Sequence, residues 1–173
     1  MELFRKNIKY ILIIIFALIV AFLIYKFGAE NGTSKLSLKD DFKESKQMVD
    51  TCLKLMKIDS VEVLVYPLTV EISTDKTRMH GFIKPHPYKK HSYIIYLRKN
   101  IPKHKKIEII CHELIHLQQL ESRKLEYLYR ESYLWKGVKY KYTEIPYENR
   151  AYEVEAETES YIYAKKLKKI FLK

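Results

Sequence analysis

Cysteine is scarce in this chain: Cys52 and Cys111 are the only two in 173 residues, too few for a disulfide scaffold. Each has apolar neighbours on an expected helix, which fits a small buried hydrophobe, although a domain outside the cytoplasm could join them in one disulfide. Internal repeats and low-complexity tracts are also lacking, which leaves a single ordinary domain as the expectation for this length. Nor is charge of one sign gathered into a block. Residues 28–173 hold 28 Lys and Arg against 20 Asp and Glu, and the excess is spread along the chain. It reads mostly as solvated surface, suited to anionic lipid or cell-wall polymer, with no specific nucleic-acid partner expected.

One long apolar run is present. Nothing polar interrupts Ile11 to Ile24, and the run from Ile8 to Phe27 is about the length a helix needs to cross a bilayer. Arg5, Lys6 and Lys9 precede it, whereas Gly28, Ala29 and Glu30 follow Lys26, so the positive-inside rule places the N-terminus in the cytoplasm and the rest on the far side. Phe27-Gly28-Ala29 matches a signal-peptide cleavage site poorly, which favours an uncleaved anchor. The organisation is then an anchor over 1–27, a linker over 28–36 rich in Gly, Asn, Thr and Ser, and one domain over 37–173.

Within that domain, Ser37 and Asp40 suggest a capped helix start. Phe42, Ser45, Val49, Cys52, Leu53 and Met56 continue one face to about Ile58. Val61, Val63 and Val65 alternate with Glu62, Leu64 and Tyr66, and further β-rich runs cover Val70–Ser73, Met79–Lys84 and Tyr93–Leu97. A helix opens after Asn100-Ile101-Pro102 and fades near Ser122, with Lys103, His104, Lys105 and Lys106 in its first turn, the wrong sign for the helix dipole. Lys136-Gly137 marks a tight hairpin turn between Tyr133-Leu134-Trp135 and Val138-Lys139-Tyr140. A last helix runs from about Arg150 to Phe171, with Val154, Ala156, Tyr161, Ala164, Leu167 and Phe171 as core contacts.

The chemistry concentrates in Ile109-Ile110-Cys111-His112-Glu113-Leu114-Ile115-His116-Leu117-Gln118-Gln119. His112 and His116 are four apart, so on a helix they share one face and can take two corners of a tetrahedral zinc site. Glu113 is then placed to take a proton from a zinc-activated water. Ile107, Ile110, Leu114 and Leu117 form the buried wall behind the pair. A catalytic zinc needs a third protein ligand. Glu153, Glu155 and Glu157 on the last helix, and Glu148 ahead of it, are the carboxylates available. His86 and His91, beside Pro85 and Pro87, have no matching Cys or carboxylate spacing and read as surface histidines.

His-Glu-x-x-His followed by Glu153-Val154-Glu155-Ala156-Glu157 on a downstream helix resembles the pattern of gluzincin-type zinc metallopeptidases. More narrowly, Trp135-x-Gly137-x-x-Tyr140 and Pro146-Tyr147-Glu148-x-Arg150-x-x-Glu153-x-Glu155-Ala156 resemble small uncharacterised bacterial and phage metallopeptidases. The likeness covers roughly Glu108 to Glu157. It implies Glu153 as the third ligand, with Glu148 and Glu155 as alternatives, and Glu157 as the acceptor orienting a ligand histidine. Glu157 departs from the Asp or Asn usual there. It also implies a sheet edge beside the metal that pairs with an extended peptide, here Tyr93–Leu97 or Met79–Lys84. Tyr140, Tyr142 and Tyr147 are candidates for stabilising the oxyanion.

The expected fold is α+β: a transmembrane helix, then a minimal zincin-like domain of one helix, a small mostly antiparallel sheet, the His-pair helix, a hairpin, and a C-terminal helix bearing the Glu ligand. The expected activity is zinc-dependent hydrolysis of peptide bonds in a peptide or protein substrate. The alternatives are a membrane-anchored binding or assembly module with a structural or inactive zinc site, and a hydrolase of cell-wall amide bonds.

Overall fold

The computed structural model describes residues 42–68, 80–128 and 131–173. The expected anchor, the linker, the helix start at Ser37 and Asp40, and the run Val70–Ser73 lie outside these. Among the described residues no helix is long and apolar enough to cross a membrane.

The described part is α+β, with three helices of two turns or more and two small sheets. Helix α1 occupies residues 42–56 and buries Ser45, Met48, Val49, Cys52, Leu53 and Met56. It ends where Lys57 turns left-handed (φ 58°) and Ile58 N–H reaches back to the Leu53 carbonyl at 3.0 Å. The first sheet holds β1 (Glu62–Pro67), β2 (Gly81–Pro85) and β3 (Ser92–Leu97) in the order β1-β3-β2. β1 runs parallel to β3 and β2 antiparallel to it, so this sheet is mixed and not mostly antiparallel.

β3 is the middle strand, with Ser92, Tyr93, Ile94, Ile95 and Leu97 all buried. Tyr93–Leu97 is therefore excluded as an edge, because both its sides already carry ladder hydrogen bonds. β2 is the edge. Arg98 N–H donates to the His80 carbonyl and His86 N–H to the Ser92 carbonyl, both at 2.8 Å. The alternation of an antiparallel ladder then turns Phe82 and Lys84 toward β3 and leaves the Gly81 and Ile83 backbone facing outward.

Helix α2 (Lys103–Glu121) packs on this sheet. Ile107, Ile110, Leu114 and Leu117 are fully buried as expected, joined by Cys111 and Ile115. The two cysteines meet in this core with Sγ atoms 3.6 Å apart, as free thiols. α2 closes like α1, with Arg123 left-handed (φ 56°) and Lys124 N–H on the Gln119 carbonyl. The second sheet is the meander β4 (Leu125–Leu128), β5 (Ser132–Trp135) and β6 (Val138–Lys141), all antiparallel. The expected hairpin is β5–β6, where Lys136 (φ 50°) and Gly137 (φ 81°) make a two-residue loop with both φ positive. β4 had not been expected. Trp135, the chain's single tryptophan, packs in a separate small core with Leu125, Tyr133 and Tyr152.

Helix α3 (Ala151–Phe171) runs antiparallel to α2: Gln119 meets Tyr152 and Glu155 at one end, and Glu108 meets Lys168 at the other. Ala156, Ala164 and Leu167 enter the core and Phe171 packs at its margin. Val154 and Tyr161 do not; they are 50% and 70% exposed. The buried stripe is set by Tyr152, Glu153, Ala156, Ser160, Ala164 and Leu167 at helical spacing, and the other two lie on faces turned away from it.

Gly81 sets how closely α2 approaches the sheet. A Cβ there would stand 2.7 Å from Ile109 Cγ2 and 3.0 Å from the Tyr96 carbonyl oxygen. Gly81→Ala should destabilise the domain by about 1–3 kcal/mol, measured by urea denaturation, with part of the loss recovered by pairing it with Ile109→Ala. A variant as stable as the parent would show that α2 does not depend on this contact.

Candidate metal centre

His112 and His116 project from the middle of α2, and α3 brings Glu153 to them from its first turn. Glu153 Oε2 lies 3.1 Å from His112 Nε2 and 3.2 Å from His116 Nε2, and the two Nε2 atoms are 3.1 Å apart. These three are the one group of potential metal donors found among the described residues. Donors at about 2.0–2.1 Å around a tetrahedral ion stand about 3.3 Å from one another, so the triangle has the right size for zinc, and two imidazoles with one carboxylate is a zinc donor set.

The histidines are held from behind. Gln119, 1% exposed, donates both amide hydrogens, one to the Tyr152 carbonyl and one to Glu155 Oε2, each at 2.9 Å. Its Oε1 can then only accept, and it faces His116 Nδ1 at 2.9 Å. Nδ1 therefore carries a hydrogen, which leaves Nε2 of the neutral ring with its lone pair toward the triangle. Glu157, its side chain largely exposed, faces His112 Nδ1 at 3.5 Å, within ion-pair range and on the ring nitrogen that does not take part in the triangle.

The electrostatics follow from burial and from these contacts. Burial pushes the Glu153 carboxyl up, but hydrogen bonds from His112, His116 and Tyr147 outweigh it and hold the group at about 2. Burial pushes His116 down, and the same carboxylate with Glu113 brings it up to about 8. Glu113 is buried beside the triangle, and loss of hydration raises its carboxyl against the pull of His116 and His112. The outward-facing Ile83 N–H of the edge strand donates to it.

A cleft of about 1570 Å³ opens over His112, Glu113, His116 and Glu153, with Gly81, Phe82 and Ile83 along one side. That exceeds the usual range for a drug-sized ligand and has room for an extended chain. Of the three tyrosines named from sequence, Tyr147, 55% exposed as a whole residue, lines the cleft; its hydroxyl donates to Glu153, and loss of hydration at that end together with the nearby carboxylate raises the phenol. Tyr140 and Tyr142 instead stack on Tyr133. Tyr127 also lines the cleft and was missed. The alternation in Leu125-Glu126-Tyr127-Leu128 was the available signal. Glu148 lies on the cleft wall in a 3₁₀ turn, outside the donor triangle, and Glu155 is engaged by Gln119 and Lys124. His91 is exposed and pairs with Glu121 at 2.9 Å. His86 is half-buried on a loop.

Comparison of the chain with protein-family models, with curated proteins and with solved structures finds no match.

Two measurements check the site. Gln119→Leu should weaken zinc affinity about 10- to 100-fold in a competition titration against a chromophoric chelator. Unchanged affinity in Gln119→Leu would remove the positioning role. Because metal needs a neutral imidazole and His116 is held near 8, zinc binding at neutral pH should displace close to one proton. Affinity should fall as pH falls below that value, and calorimetry in buffers of different ionisation enthalpy reads the proton directly.

Proposed function

We propose that this chain is a membrane-anchored, zinc-dependent metallopeptidase of the gluzincin type, its domain a minimal zincin on the far side of the membrane. The observation that carries the reading is Glu113. It is a buried carboxylate beside a triangle of zinc-type donors, facing a cleft long enough for a polypeptide, and it is not itself part of the triangle. A structural zinc site is closed by a fourth protein ligand. Among the described residues none joins these three.

His112, His116 and Glu153 would hold the zinc, which would supply Lewis acidity at the scissile carbonyl and make water a usable nucleophile. Glu113 takes a proton from the attacking water and returns it to the leaving amine. Its raised affinity for that proton suits the exchange. Ile83 N–H fixes the Glu113 carboxylate relative to the edge strand. The Gly81 backbone and the Ile83 carbonyl remain for an extended substrate to pair with. Tyr127 lines the cleft as a protonated phenol and serves as a hydrogen-bond donor to negative charge that develops on the carbonyl oxygen, whereas the single hydroxyl hydrogen of Tyr147 is engaged by Glu153.

Glu113→Gln separates this reading from a binding module. The variant should keep zinc near one equivalent and stay folded while losing hydrolysis by about a hundred-fold to ten-thousand-fold; His112→Ala and His116→Ala should lose metal and activity together. If Glu113→Gln equals wild type on unfolded proteins and on cell-wall peptides alike, the catalytic role is gone and the structural-site module replaces it. For the anchor, the full-length chain should remain with membranes through a carbonate wash and become soluble when residues 1–27 are deleted. Full-length chain in the soluble fraction would remove the membrane from the proposal.

A further inference from the structure

The cleft is electrically lopsided. Around the donor triangle its charged lining is acidic: Glu113, Glu148, Glu153 and Glu157. Toward the N-terminal end of α2 and the C-terminal end of α3 it is basic: Arg98, Lys99, Lys105, Lys165, Lys168 and Lys169. The antiparallel packing of α2 on α3 brings these positions to one end, beside the 98–102 loop that follows β3. Lys105 and Lys168 share Glu108, so one carboxylate serves two ammonium groups. Lys99, Lys165 and Lys169 are exposed, with no ion-pair partner among the described residues.

Helix electrostatics explain only half of this arrangement. Lys168 and Lys169 complement the last turn of α3. The first turn of α2 has no acidic residue and carries lysines where the dipole disfavours them; of these Lys105 lines the cleft, while Lys103 pairs with Glu44 and Lys106 is buried. The lining at this end also includes the apolar Ile101, Ile109 and Ala164. Such a lining, basic with apolar residues among it, suits a polypeptide with carboxylates on an otherwise uncharged stretch. A nucleic acid would want basic groups spread along the whole cleft, and would meet the acidic end.

Resting on the peptidase reading, we infer that this end of the cleft binds an acidic segment of the substrate, to one side of the bond that is cut. At about 1.5 Å per helical residue, Lys105 lies roughly 10 Å from His112 along α2 and Lys169 roughly 24 Å from Glu153 along α3. An extended chain rises about 3.3 Å per residue, so the acidic residues belong about three to seven positions from the scissile bond.

The test uses the full-length, zinc-loaded chain in neutral detergent, as wild type and as Lys99→Ser/Lys165→Ser/Lys169→Ser. Both digest a peptide library whose cut sites are read by mass spectrometry. Fluorescence anisotropy on the same preparations carrying Glu113→Gln measures binding of a peptide with glutamates at one end, its glutamine counterpart, a single-stranded oligonucleotide and anionic vesicles. Wild-type cuts should show Asp and Glu enriched on one side, and the glutamate peptide should bind about tenfold more tightly than the glutamine peptide at low salt. The advantage should vanish in the triple variant and at high salt, and that variant should still unfold in one transition within a few degrees of the parent, the small loss coming from helix propensity and the last-turn dipole. Equal binding of the two peptides, or a preference that survives the triple substitution, would overturn the inference. Tighter binding of the oligonucleotide or the vesicles would overturn it too and give the basic end to those ligands. Acidic-peptide binding with no cleavage of anything would defeat the peptidase reading and leave the basic end standing. Cleavage without acidic preference would do the reverse.

Discussion

A buried amide on α2 constrains the rest of this structure. Gln119 sits on the buried face of α2, 1% exposed, and leaving its donors or acceptor unmet would cost about 1–3 kcal/mol for each group. Its partners are the Tyr152 carbonyl and the Glu155 carboxylate on one side and His116 on the other. Satisfying the amide therefore fixes the first turn of α3 against α2. Glu153, between those two partners in sequence, then falls beside the histidines. Among the described residues no buried side-chain polar atom lacks a partner, which is the condition under which a polar cluster this deep can persist.

The sheet imposes a second constraint from the opposite side. Because β2 is the edge and its ladder uses alternate residues, Ile83 N–H faces outward and meets Glu113, the one buried carboxylate of α2. Gly81 lets α2 lie close enough for this contact. The proposed acid–base group is thus tied to the strand that borders the cleft, and the candidate metal donors to the helix pair. The two halves of the proposed chemistry are held by different layers that meet along α2.

Much of this was legible in the sequence, for reasons that differ by element. The α2 core face, the β5–β6 turn at Lys136-Gly137 and the His112/His116 pair follow from local spacing, which a helix or a two-residue turn converts directly into geometry. Glu153 could be separated from Glu148 and Glu155 only through a resemblance, because which carboxylate reaches a histidine about forty residues away depends on how two helices pack. The same limit hid Gln119, whose role is visible only once α3 lies against it, and Tyr127, carried by a strand of four residues. Tyr93–Leu97 was one of two candidate edges because composition marks a strand but not its neighbours. Val154 and Tyr161 are apolar residues on a helix whose buried face also takes Glu153 and Ser160, so hydropathy alone misjudged the stripe.

Trp135 gives the chain an optical consequence. It is the single tryptophan among 15 tyrosines, 8% exposed, and its ring centroid lies 6.3 Å from that of Tyr152, the residue immediately before Glu153. Tyr152 in turn stacks edge-on against Tyr133 and His116. Light absorbed by the tyrosines of this cluster is funnelled to one indole, and the polarity around that indole is set by the docking of the meander on α3. Intrinsic emission is therefore a label-free reporter placed next to the candidate metal centre, sensitive to the approach of α3 and set in a small core that α1 and β1 do not enter.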